Sequence, residues 1–121
     1  MDSKFYVSLE AARLLKEKGY DRECISYYHD NCTEIDYSFC GERNSTWEER
    51  CVSAPTKAEV IDWLESKGII IEVFCARIGE NRKWCYSIIN TKTDITIETP
   101  YKFSTRLEAE DAVIIKALKL L

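Results

Sequence analysis

The chain reads as a single α+β domain, with antiparallel sheet and helices packed on it, in the order α-β-β-α-β-β-β-α. Three observations predict this. In the second half, capped amphipathic segments bracket three strand-like runs joined by short turns. In the first half, a tyrosine- and cysteine-rich stretch alternates with a period of two. And 121 residues, 45% hydrophobic and 31% charged with only four glycines and two prolines, suit one packed core rather than two domains or a disordered chain. Residues 1–53 are expected to form α-β-β and a polar loop, and residues 54–121 an α-β-β-β-α half.

Ser8 is placed to cap a helix over about residues 9–18, where Leu9, Ala11, Ala12, Leu14 and Leu15 recur at three- to four-residue spacing and Lys16, Lys18 and Gly19 supply a C-terminal signal. In CISYYHDNCTEIDYSFC, residues 24–40, Ile25, Tyr27 and His29 alternate with Cys24, Ser26 and Tyr28. Ile35, Tyr37 and Phe39 alternate likewise with Asp36, Ser38 and Cys40. Paired as a hairpin around Asp30 to Glu34 with facing numbers adding to 64, Ile25 meets Phe39, Tyr27 meets Tyr37 and His29 meets Ile35 on the core face. Cys24 then meets Cys40 and Ser26 meets Ser38 on the other face, and a slip of one residue would mix apolar with polar positions. GERNSTWEER, residues 41–50, reads as a polar loop.

Ala54-Pro55-Thr56 opens the clearest helix: Thr56 and Glu59 form a capping box, Val60, Ile61, Trp63 and Leu64 make the apolar face, and Gly68 ends it. Strand runs 69–77, 83–90 and 94–99 follow, with turns at 79–82 and 91–94 short enough for hairpins. A Thr105/Glu108 capping box starts the last helix. Its stripe holds Leu107, Val113, Ile114, Ala117, Leu118, Leu120 and Leu121, while Ile115 falls outside beside Glu108 and Lys119. That placement makes Ile115 the candidate oligomer contact.

The net charge of -4 lies in the first half, where residues 1–54 hold 7 Lys/Arg against 11 Asp/Glu and residues 55–121 hold 10 of each, so no general phosphate-binding surface is advertised. No apolar run precedes the first charges and none is long enough to span a bilayer, which points to a cytoplasmic protein without membrane contact. Six cysteines in that compartment are expected as free thiols, with Cys24 and Cys40 able to bridge on oxidation. No C-x-x-C knuckle occurs, and the hairpin register sets His29 opposite in face to Cys24 and Cys40, so no metal site or cofactor is expected from Cys24, His29, Cys32 and Cys40. There is no Gly-rich phosphate loop, nucleophile elbow or H-E-x-x-H, and Asp62 and Glu65 lie on a predicted solvent face, so no catalytic residue is assigned.

Two partial resemblances suggest nucleic acid as a partner. SLEAARLLKEKGYDRECISYYHD resembles the helix-turn-helix of MerR-type regulators and excisionase-like domains, with Gly19, Ile25, Tyr27 and Tyr28 at the motif's spacing, but Asp21, Glu23 and Asp30 outweigh Arg22 on its recognition element. From Thr56 onward the element order resembles a double-stranded-RNA-binding domain. Arg77, Arg82 and Lys83 would be its contacts, whereas TRLEAED replaces the lysine cluster that opens the last helix in such domains.

Across nearly the whole chain, LLKEKGY, APTKAEVIDWLESKGIIIEV and KWCYSI are similar to small proteins of gut anaerobes, their prophages and phages, with Pro55, Thr56, Trp63, Leu64 and Trp84 carrying the pattern. That family has no established activity. The expectation is a non-enzymatic phage or prophage accessory protein acting by protein contact with an unidentified partner. A homodimer through the last helix or the edge of the final strand is one form of it, and a nucleic-acid-binding module is the alternative.

Overall fold

The computed structural model describes residues 3–29, 32–47, 50–100 and 102–121, without the side chains of Ser3 and Phe39. After a 3₁₀ turn at Ser3–Phe5 come α1 (Leu9–Glu17), β1 (Cys24–His29), β2 (Asp36–Glu42), β3 (Cys51–Ser53), α2 (Lys57–Ser66), β4 (Ile69–Ile78), β5 (Asn81–Asn90), β6 (Ile95–Glu98) and α3 (Arg106–Lys119). The strands form two antiparallel three-stranded sheets, ordered β2-β1-β3 and β4-β5-β6. The α+β class therefore stands, with one strand more than expected: β3 forms at the end of the segment read as loop.

The helix ends follow the caps. Ser8 accepts from the Ala11 N–H at 3.2 Å and Gly19 follows α1 with φ +89°. Thr56 and Glu59 make both arms of the capping box, and Gly68 follows α2 with φ +86°, a conformation that costs glycine little. Thr105 accepts from the Glu108 N–H at 3.2 Å without the reciprocal arm, so α3 has a simple cap where a box was expected.

The core gathers around α3. Val113, Ile114, Ala117 and Leu118 are fully buried and pack with Leu15 of α1, Val60 and Leu64 of α2, and Ile69 and Ile88 of the second sheet. Each of the larger side chains contributes roughly 1.5–3 kcal/mol by leaving water. Lys57 is only 4% exposed, with its ammonium 2.8 Å from Asp111, which ties the start of α2 to α3. Ile115 is half-buried and packs on this core, as part of a wider apolar face of α3.

Two expectations for β1 and β2 are overturned. The register is Ser26 opposite Tyr37 and Tyr27 opposite Asp36, then shifts so that Cys24 lies opposite Glu42 rather than Cys40. Residues 38–41 of β2 thus form a broad bulge. The buried face of β1 is Cys24, Ser26 and Tyr28, while Ile25 is 51% exposed and His29 is exposed. Hydrogen bonding explains the inversion: the Tyr28 hydroxyl donates to the Val7 carbonyl at 2.6 Å, the Ser26 hydroxyl to the Ala54 carbonyl at 2.6 Å, and the Cys24 thiol to the Ser26 carbonyl at 3.2 Å. Small, satisfied groups at 24 and 26 let the N-terminal segment and the 54–56 segment approach closely. The core position expected for Phe39 and the turn at Asp30 and Asn31 lie outside the described residues. Since 24–29 is strand, the second helix of a helix-turn-helix is not formed.

In the second sheet β4 and β5 pair over ten residues each, from Ile69 opposite Asn90 to Ile78 opposite Asn81. Their two-residue turn starts with Gly79 at φ +63°, the position that a type II′ turn reserves for glycine. β6 pairs with β5 over four residues, and the chain then leaves the ladder at Pro100 before Phe103 bridges back to Trp84.

Candidate functional site

The outer side of the first sheet is roofed by the segment expected to be a loose loop. Asn44 is 8% exposed and bonds in two directions: its Nδ2 donates to the Tyr20 carbonyl at 2.7 Å, and its Oδ1 accepts from the Ser53 N–H at 2.9 Å. Asp21 accepts from the Ser45 N–H at 2.7 Å and the Ser45 hydroxyl at 2.9 Å, and the Arg43 guanidinium donates to the Asp21 carbonyl at 2.6 Å. The Ser45 hydrogen bonds, that of the backbone N–H foremost, hold the Asp21 carboxyl below its ordinary range. The Trp47 indole N–H donates to the Ser53 hydroxyl at 2.6 Å, and its ring meets that of Tyr27 at 4.6 Å between centroids with a 35° tilt.

Between this turn, the outer face of β1 and the bulge of β2 lies a cleft of about 570 Å³ lined by Tyr27, His29, Tyr37, Glu42, Trp47 and Cys51, among others. His29 stands directly opposite Cys51 in the β1–β3 register. A bulge beside a cleft is a common way of re-aiming side chains. Among the described residues no group of three or more His, Cys, Asp or Glu is placed to hold a metal ion, and none of the six cysteines is in a disulfide.

The cations named from the sequence do not share one face. Arg77 and Arg82 are exposed and directly opposite each other, whereas Lys83 lies opposite Ala76 on the other face of the hairpin. At the start of α3, Arg106 lies over the Trp84 ring at 5.9 Å.

A second feature was not read from the sequence. α2 and α3 cover one face of the second sheet, the one carrying Ile69, Ile71, Val73, Tyr86 and Ile88. The opposite face holds Ile70, Phe74, Ile78 and Ile89, with Phe74 37% and Ile78 51% exposed. An antiparallel sheet with one face in water ordinarily alternates apolar with polar, and β4 does not. The run of apolar residues IIIEVF was visible at 69–74, and its lack of alternation was the available signal.

No protein-family model, curated protein or solved structure matches the chain. No helix among the described residues is long and apolar enough to cross a membrane.

Proposed function

We propose that the protein is a non-enzymatic contact protein that pairs with a second copy of itself along β4. The observation that carries this is the apolar outer face of β4 beside that strand's open edge. The other edge of the sheet is blunted, since β6 has four residues and Pro100 follows two residues after its end, but β4 runs for ten residues with neither proline nor bulge.

Antiparallel pairing about Phe74 sets Ile70 opposite Ile78 of the second copy and Glu72 opposite Ala76, joining the apolar residues of both copies in one band. Pairing about Glu72 would instead oppose two carboxylates. Ala76 is small, and Lys83 lies next to it on β5. Lys83 can therefore reach over Ala76 towards Glu72 of the second copy, two strand spacings or about 9.6 Å away at the backbone. The accessory role of phage or prophage type rests on the sequence resemblance.

Sedimentation velocity over a concentration series tests the pairing. The expected result is a dimer that Phe74→Lys converts to a folded monomer, since Phe74 is partly exposed and outside the core. A wild-type monomer at the highest concentration, or a Phe74→Lys variant that dimerises as well as the wild type, would overturn it.

A further inference from the structure

The end of the β4–β5 hairpin stands clear of the rest of the fold. β6 pairs with β5 only from Ser87 to Asn90, and α3 starts over Trp84, with the Arg106 guanidinium 5.9 Å from the centre of that ring. Beyond Trp84 three rungs remain, Ala76 opposite Lys83, Arg77 opposite Arg82 and Ile78 opposite Asn81, and every residue from Arg77 to Arg82 is exposed. Residues 76–84, with 102–108 at their base, hold five cations, Arg77, Arg82, Lys83, Lys102 and Arg106, against Glu80 and Glu108, in a chain whose net charge is -4. None of the five is in an ion pair among the described residues. Like charges directly opposite each other on a sheet are destabilising, so the Arg77–Arg82 rung costs stability that an anion laid across it would return.

These cations occupy both faces of the ribbon, Arg77 and Arg82 on one and Lys83 on the other. A flat anionic surface would meet one face only, whereas a groove with phosphates along both walls meets both. The major groove of B-form DNA, about 12 Å wide and about 8.5 Å deep, admits a two-stranded ribbon. Three rungs at about 3.4 Å each extend about 10 Å, enough to reach its floor. The corresponding groove of duplex RNA is too deep and narrow to be read by side chains. We propose that this hairpin end binds duplex DNA in the major groove, with Arg77 and Arg82 on the phosphates of one wall and Lys83 on those of the other. Ile78, 51% exposed, and Asn81 form the last rung, nearest the base edges. Glu80, at the turn, meets the groove floor, where the cytosine amino group is a donor for a carboxylate. A second copy laid along Ala76–Ile78 would widen the ribbon beyond the groove, so DNA takes a single chain whether or not copies pair along β4 in its absence.

Fluorescence anisotropy of a labelled DNA duplex, titrated with the full chain at two salt concentrations, tests this. Three phosphate contacts predict micromolar binding that weakens about fortyfold between about 50 and 200 mM salt. Arg77→Gln and Arg82→Gln, exposed changes that leave the core untouched, each remove one contact; each is expected to weaken binding at least about threefold and to reduce the salt dependence to about tenfold. Lys92→Gln, beyond the other end of β5, is expected to leave both unchanged. Methyl green, which occupies the major groove, is expected to compete with the protein, and netropsin, which occupies the minor groove, is not. An RNA duplex of the same sequence is expected to bind at least about fivefold more weakly. Absence of saturable binding, equal or tighter binding of the RNA duplex, displacement by netropsin in place of methyl green, or an Arg82→Gln variant that binds as the wild type does would overturn the proposal.

Discussion

The two sheets have the same number of strands and opposite construction. In β4-β5-β6 the ladder is long and regular, its turns are two and four residues, and one face is filled by helices. In β2-β1-β3 the central strand has six residues, one neighbour is bulged and the other has three, and the outer face is closed by a turn held through side-chain hydrogen bonds. The second sheet is stabilised by apolar burial spread over many residues. The first depends on a few polar groups, each with a specific partner, and so has fewer ways to fail gradually.

That contrast sets the order of expected effects. Ile88→Ala removes a fully buried side chain from the central strand of the second sheet and is expected to cost about 3 kcal/mol, lowering the midpoint of urea unfolding for the whole domain. Asn44→Ala leaves the Ser53 N–H and the Tyr20 carbonyl without partners and is expected to cost about 2 kcal/mol. Hydrogen exchange separates the two variants: in Asn44→Ala the amides of Trp47 and Ser53 exchange faster while those of β4 and β5 keep their protection. Equal acceleration in both sheets would show that the staple is not local.

Smaller effects test the polar side further. The Tyr20 hydroxyl is buried without a hydrogen-bond partner among the described residues, and burial raises its pKa. Tyr20→Phe is accordingly expected to stabilise by up to about 1 kcal/mol, read as a higher unfolding midpoint, because it removes an unpaired polar atom and keeps the ring against Trp63 at 5.3 Å. The smallest effect is the pH response of the turn. The Asp21 carboxyl is held below its ordinary value in the folded chain, so its contribution is complete above the unfolded pKa, about 3.9, and is lost as pH falls through the folded one. Exchange of the Ser45 amide is expected to quicken over that acid range, and Asp21→Asn to abolish the dependence.

The second half was legible because its local signals agree with its packing. The Thr56/Glu59 box, the glycines after both early helices and the short turns each act within a few residues, and Val113, Ile114, Ala117 and Leu118 of the α3 stripe face the core, whereas Leu120 and Leu121 at its end are exposed and Ile115 packs inward. The first half was not, for a physical reason. Ranking by hydrophobicity selects Ile25 and Tyr27 of β1 for the interior, but satisfied hydrogen bonds carry Ser26 and Tyr28 inward. β3, three residues long, is shorter than any period can mark, and the bulge moves the pairing by three positions. Of the aromatic cleft only the composition was legible; its assembly depends on Trp47 folding back to Ser53 across a turn that no local pattern announces.

Pro100 has a consequence for growth. A sheet with both sides open adds strands without end and becomes a filament. This one has a single open side of useful length, and the proposed pairing would consume it. In the proposed pairing, two copies related by a two-fold axis would present only the short final strands outward, so addition would stop at six strands.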